Sequence, residues 1–173
     1  MPRTIAIIGA GPLGRWLALR AAQAGFRVLL EDVMPGNLQH AQESIRQQSN
    51  ALPEIDFVST LEDAVRQADL VIDCVPDELE SKLEILLLLD RMAPPAAVLA
   101  TPTLHLSIAD LAACTYRPTQ VIAIAAKASL SEPTSREIRL ITTPQTSAQA
   151  IALLEEFWRR LEFEPHVEVE SQI

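Results

Sequence analysis

The run Ile5-Ala-Ile-Ile-Gly9-Ala-Gly11-Pro12-Leu13-Gly14 commits the start of the chain to a strand, a tight turn and a helix. Thr4–Ile8 is β-branched and apolar, and Pro12 to Ala24 repeats Leu13, Leu17 and Ala21 along one helical stripe before Gly25 stops it. A Gly-x-Gly-x-x-Gly turn in that setting is a phosphate cradle. Gly9 permits the turn, Gly11 lets backbone approach a pyrophosphate, and Gly14 lets helix and strand pack closely. The helix N-terminus adds N–H groups and partial positive charge, and Pro12 suits the first helical position while removing one donor.

The second strand, Arg27–Glu31, delivers Asp32 about 20 residues beyond the first glycine, where a carboxylate accepts ribose hydroxyls and repels a 2′-phosphate. NAD is therefore favoured over NADP, with Glu31 as an alternative acid. The Gly-x-Gly-Pro pattern alone also admits FAD.

Beyond Gly36 there is no glycine, and prolines from Pro76 to Pro165 mark the later turns. Helices are expected at Pro35–Ser49, Leu61–Gln67, Glu78–Met92, Ile108–Ala113 and Ser147–Leu161. Strands are expected at Asp56–Val58, Leu70–Cys74, Ala97–Ala100, Val121–Ala125, Ile138–Thr142 and around His166–Glu170. In Glu78–Met92 the residues Leu79, Leu83, Leu86, Leu87 and Met92 are expected inward. The alternation gives an α/β fold: a single Rossmann-type domain, doubly wound around a mostly parallel sheet.

The 173 residues suit one domain, and the net charge of −9 argues against a phosphate-backbone partner, which needs a basic face. The apolar run Leu83–Leu89 is too short and too charged at its edges to span a bilayer, so no membrane association is expected. No signal peptide is visible, which favours the cytoplasm. Cys74 and Cys114 have no metal-ligand or CxxC spacing and are expected to be buried free thiols. No metal site is expected.

Asp69-Leu-Val-Ile-Asp73-Cys-Val75-Pro76-Asp77-Glu-Leu-Glu-Ser-Lys82 resembles the fourth-strand segment of 3-hydroxyacyl-CoA dehydrogenases, and the likeness runs ungapped to about Ser129. It argues against a flavoprotein and implies NAD as cofactor. It places Val75, Pro76, Asp77, Lys82 and Thr101 beside the cofactor, with Asp77 and Lys82 toward the nicotinamide ribose.

The catalytic positions depart from the family. Its Thr-Asn-Thr-Ser-Ser reads Thr101-Pro102-Thr103-Leu104-His105 here, so the substrate-contacting serine falls on Leu104. Its His-Phe-Phe-Asn-Pro reads Ala125-Ala126-Lys127-Ala128-Ser129, so the histidine that takes the hydroxyl proton falls on Ala125, which cannot do so. The acid that orients the histidine falls on Arg139 counting back from Thr143-Pro144, and on Glu137 counting forward from Ala125. The strand at Ile138–Thr142 favours Arg139.

The segment Val33–Ile55 is shorter than the family's helical excursion, and the helical domain that completes the acyl-CoA pocket and the dimer is missing from this sequence. His105 is a candidate substitute base, and Lys127 a candidate anion holder. His40 and His166 read as surface residues. The leading expectation is an NAD-binding domain with little or no dehydrogenase activity alone, serving as a nucleotide-responsive or partner-binding module. One alternative is an active oxidoreductase with a different base or a separate helical subunit; another is an interaction domain with an empty loop. An exposed last strand favours self-association by edge pairing or a protein partner.

Overall fold

The computed structural model describes residues 2–48, 54–125 and 135–170. Its centre is one sheet of eight strands: β1 (Thr4–Ile8), β2 (Arg27–Glu31), β3 (Ile55–Val58), β4 (Leu70–Asp73), β5 (Val98–Pro102), β6 (Val121–Ala125), β7 (Glu137–Thr142) and β8 (Glu164–Val169). They lie in the order β3-β2-β1-β4-β5-β6-β7-β8. The first six run parallel; β7 is antiparallel to β6, and β8 runs parallel to β7.

Among the described residues six α-helices cover the faces: α1 (Pro12–Gln23), α2 (Pro35–Gln48), α3 (Leu61–Val65), α4 (Leu79–Met92), α5 (Ile108–Ala113) and α6 (Ala148–Arg160). Period-two alternation sends Ile5 and Ile7 into one core layer with Leu17, Ala41 and Trp158. It sends Ala6 and Ile8 into the other with Val65, Leu86 and Leu111. Burial on both faces explains the near-continuous apolar strands and confirms the doubly wound reading. Element ends fall within about two residues of the sequence expectation.

The inward face of α4 is only partly the one expected: Leu86 is buried and Leu83 packs against the core, but the other three residues are not inside. Leu79 is 51% exposed, Leu87 42% and Met92 40%, whereas Lys82, Leu86, Leu89 and Asp90 are buried. The helix turns two charges inward because each finds a partner there. Lys82 Nζ donates to Asp73 Oδ1 at 2.7 Å, and Arg117 Nε donates to Asp90 Oδ1 at 2.8 Å. Arg117 also donates to the carbonyls of Asp90, Ala93 and Pro94, satisfying the C-terminal end of α4. Among the described residues no helix is long and apolar enough to cross a membrane. Cys74 and Cys114 are free, but only half-buried, short of the full burial expected.

Candidate functional site

The glycine loop has the geometry of a phosphate cradle. Gly9 adopts φ +102°, where a side chain would be strained and would meet the Cys74 carbonyl oxygen at 3.2 Å. A Cβ at Gly14 would lie 1.8 Å from the Gly9 oxygen, so only glycine lets α1 pack this close to β1. Around Gly11 nothing lies within 4 Å of where a Cβ would be. That open space, at an exposed residue beside the start of α1, is what a pyrophosphate needs, and the loop fits a dinucleotide. Pro12 is exposed and Leu13 half-buried.

Asp32 follows β2 and is fixed by its neighbours. Its Oδ2 accepts from Ala10 N at 2.9 Å, its Oδ1 from Met34 N at 2.8 Å, and both oxygens accept from Asn37 Nδ2 at 3.1 Å. The carboxylate thus ties the glycine loop to the start of α2. Glu31, the last residue of β2, is buried, and burial with the adjacent Asp32 charge raises its pKa to about 7.

Lys82 does not point along the cleft. It is 1% exposed and joined to Asp73, the wholly buried last residue of β4, whose register partner on β1 is Ile8. Burial raises the Asp73 carboxyl, and Lys82 opposes that shift. Thr101 stands close enough to favour the charged carboxylate, yet Asp73 Oδ2 and Thr101 Oγ1 make no hydrogen bond of normal geometry among the described residues. Val75 is half-buried and Pro76 exposed in the turn after β4. The exposed Asp77 accepts from Leu104 N at 3.0 Å, tying that turn to the loop after β5.

The catalytic positions suggested by the resemblance do come together. Leu104, Ala125 and Arg139 line one cleft of about 450 Å³ with His105, Glu168 and Glu170. Arg139 is the register partner of Ala125 across the β6–β7 ladder, and Glu137 lies two residues before it on β7. The Arg139 guanidinium grips Glu168 of β8 in a two-pronged bond, Nε to Oε1 at 2.8 Å and Nη2 to Oε2 at 2.6 Å. That bond holds the arginine still more firmly protonated. Ala125 is buried, and Leu104 is 63% exposed.

Sequence reading missed Glu168 and Glu170. Glu170 accepts from Ser107 Oγ and from the N–H groups of Ile108 and Ala109 at 2.9–3.0 Å, closing the cleft wall by capping α5. The alternation Glu164, His166, Glu168, Glu170 in the last strand was the available signal, because same-face acids on an edge strand need partners. His105 is exposed at the cleft mouth; His40 and His166 are exposed, as expected. Lys127 and Ala126–Ser129 lie outside the described residues. Burial pushes the Cys74 thiol pKa up, so it offers no ready thiolate.

The chain matches the family model described as "3-hydroxyacyl-CoA dehydrogenase, NAD binding domain" over residues 4–171. It is 33% identical over 135 residues to a probable 3-hydroxybutyryl-CoA dehydrogenase of Bacillus subtilis, covering 69% of this chain and 47% of that protein. It is 28% identical over 181 aligned positions to a 5-formyl-3-hydroxy-2-methylpyridine 4-carboxylate 5-dehydrogenase of Mesorhizobium japonicum, covering 96% and 57%. A solved 3-hydroxyacyl-CoA dehydrogenase from Archaeoglobus fulgidus superposes with a TM-score of 0.84 at 27% identity, covering 99% of this chain and 58% of that one. The chain spans about half the length of these relatives.

Proposed function

Because the chain belongs to the 3-hydroxyacyl-CoA dehydrogenase family as its NAD-binding domain, we propose that it holds NAD while performing little or no dehydrogenation by itself. The cofactor would lie on the Gly9–Gly14 loop and the start of α1, with Asp32 at the adenosine ribose. Val75, Pro76, Asp77 and Thr101 would flank the nicotinamide half. Lys82 acts there from beneath, by fixing Asp73 and the end of β4. NAD, when bound, supplies a hydride acceptor.

The observation that carries the reading is the facing pair Ala125 and Arg139. Oxidising an alcohol requires a base to take the hydroxyl proton. A methyl group stands at the base's position, and opposite it is a guanidinium that remains protonated and spends its fork on Glu168. Leu104 replaces a hydroxyl with an apolar side chain. A nucleotide-responsive or partner-binding role fits this loss of proton-transfer groups. The test is a coupled assay of the purified chain with NAD and a 3-hydroxybutyryl-CoA. NADH formation at background supports the reading, and an ordinary enzymatic rate refutes it.

One observation favours a second reading, an active oxidoreductase completed by another subunit: His105 lines the same cleft as Ala125 and Arg139. If it is the base, His105→Gln abolishes turnover in the completed assembly and leaves NAD binding intact. Turnover equal to the parent's removes His105.

A further inference from the structure

A second cleft, of about 390 Å³, opens between α1 and the end of α6, and none of Gly9, Gly11 or Asp32 lines it. Its walls include Trp16, Arg20, Ser135, Arg136, Glu162 and Phe163. The geometry points to a binding site here for a phosphate monoester attached to an aromatic base, a mononucleotide-type ligand separate from the dinucleotide loop.

Three features build the site. The first is cationic. Arg20 and Arg136 come from different elements and bracket one carboxylate, Glu162, at 3.8 and 3.7 Å, both too long for a hydrogen bond. Arg20 spends one donor on the Leu161 carbonyl at 3.0 Å, and Arg136 one on the Glu162 carbonyl at 3.4 Å. Each guanidinium carries five N–H donors, so most stay available on this side of an otherwise acidic chain. Two forks converging on one point match phosphate oxygens better than a single loosely held carboxylate.

The second feature is aromatic. Trp16 and Phe163 pack edge to face with centroids 5.9 Å apart. Phe163 is held rigidly by the way α6 ends: its N–H bonds the Trp158 carbonyl, the Glu162 N–H bonds the Arg159 carbonyl, and its ring meets Trp158 at 5.3 Å. The half-buried Trp16, backed by the buried Phe163 and set beside a pair of arginines, suits a base attached to a phosphate.

The third feature is Glu162 itself. It takes φ +67° at the position after a helix where glycine usually stands, a strained conformation for a residue with a side chain. The strained residue puts its carboxylate between the arginines. It occupies the place of the anion and is displaced when the ligand arrives.

The test follows the Trp16 indole N–H resonance, assigned with Trp16→Phe, while AMP, adenosine or inorganic phosphate is added to the intact chain. Trp158 is fully buried and serves as the internal reference. Saturable shifts with AMP should weaken about tenfold in Arg136→Gln, which removes charge-assisted bonds from an exposed side chain, and should tighten in Glu162→Gly. They should persist in Gly11→Ala, whose substitution lies in the dinucleotide loop. The proposal is overturned by no saturable shift at millimolar AMP or by equal affinity in Arg136→Gln. Loss of the shift in Gly11→Ala overturns it by placing AMP in the dinucleotide loop. Phosphate alone binding as tightly as AMP overturns the aromatic part of the assignment.

Discussion

Arg139 stands opposite Ala125 in the antiparallel β6–β7 ladder and turns its guanidinium onto Glu168 of the next strand. A base introduced at residue 125 would therefore face a cation. In Ala125→His the buried backbone position and the nearby guanidinium both disfavour imidazolium, so its pKa should fall below the ordinary value near 6.5. Changing Arg139 to Glu as well should raise it by about one unit relative to the single variant. NMR titration of the histidine checks both. Equal values in the two variants would mean that residue 139 does not govern this position.

The Asp73–Lys82 pair is wholly buried, and removing one partner strands the other charge. Lys82→Met should lower unfolding stability by about 3–5 kcal/mol, whereas Asp73→Leu combined with Lys82→Met should recover most of that loss. Urea unfolding of the single and double variants measures the coupling. Additive losses would contradict it.

Glu31 makes stability depend on pH in a defined direction. Its folded pKa of about 7 lies above its ordinary 4.5, because burial and then the Asp32 charge disfavour ionisation. The folded state therefore binds the proton more tightly than the unfolded chain. The resulting stability is fully present below pH 4.5 and is lost as pH rises through 7. The urea midpoint of the parent should fall across that window relative to Glu31→Gln, which cannot titrate. Parallel curves would remove Glu31 as the cause.

The two inner loop glycines should respond differently to a methyl group. Gly14→Ala places a carbon inside the Gly9 carbonyl and must push α1 off β1, so it should unfold at distinctly lower denaturant. Gly11→Ala meets nothing within 4 Å and should unfold like the parent. Circular dichroism during urea titration separates them, and equal destabilisation would contradict the loop geometry.

Period and turn chemistry made the fold legible: Thr4–Ile8, Arg27–Glu31, Ile108–Ala113 and Val121–Ala125 have the boundaries their sequences indicate. The inward face of α4 was not fully legible from apolar periodicity, because eight of its fourteen residues from Leu79 to Met92 are Leu, Ile or Met and several stripes compete. The charges decide it. Lys82 and Asp90, eight residues apart, share the stripe of Leu86 and Leu89, and each is buried against a partner distant in sequence. The glycine loop, Asp32, Leu104, Ala125 and Arg139 were readable as a site because motif and resemblance name positions. Glu168 and Glu170 were not, since their roles depend on β8 pairing beside β7 and reaching α5.

Calorimetric titration of the chain with NADH tests the cofactor site at the centre of this account. Asp32→Ala is a blunt comparison, because Asp32 also secures Ala10, Met34 and Asn37. Gly11→Ala meets no protein atom within 4 Å and adds a methyl group where the pyrophosphate would approach. Saturable one-to-one binding by the parent, weakened about tenfold or more in Gly11→Ala, is the predicted result. No binding at millimolar NADH, or identical binding by the two proteins, would contradict the assignment of the glycine loop as a working cofactor site.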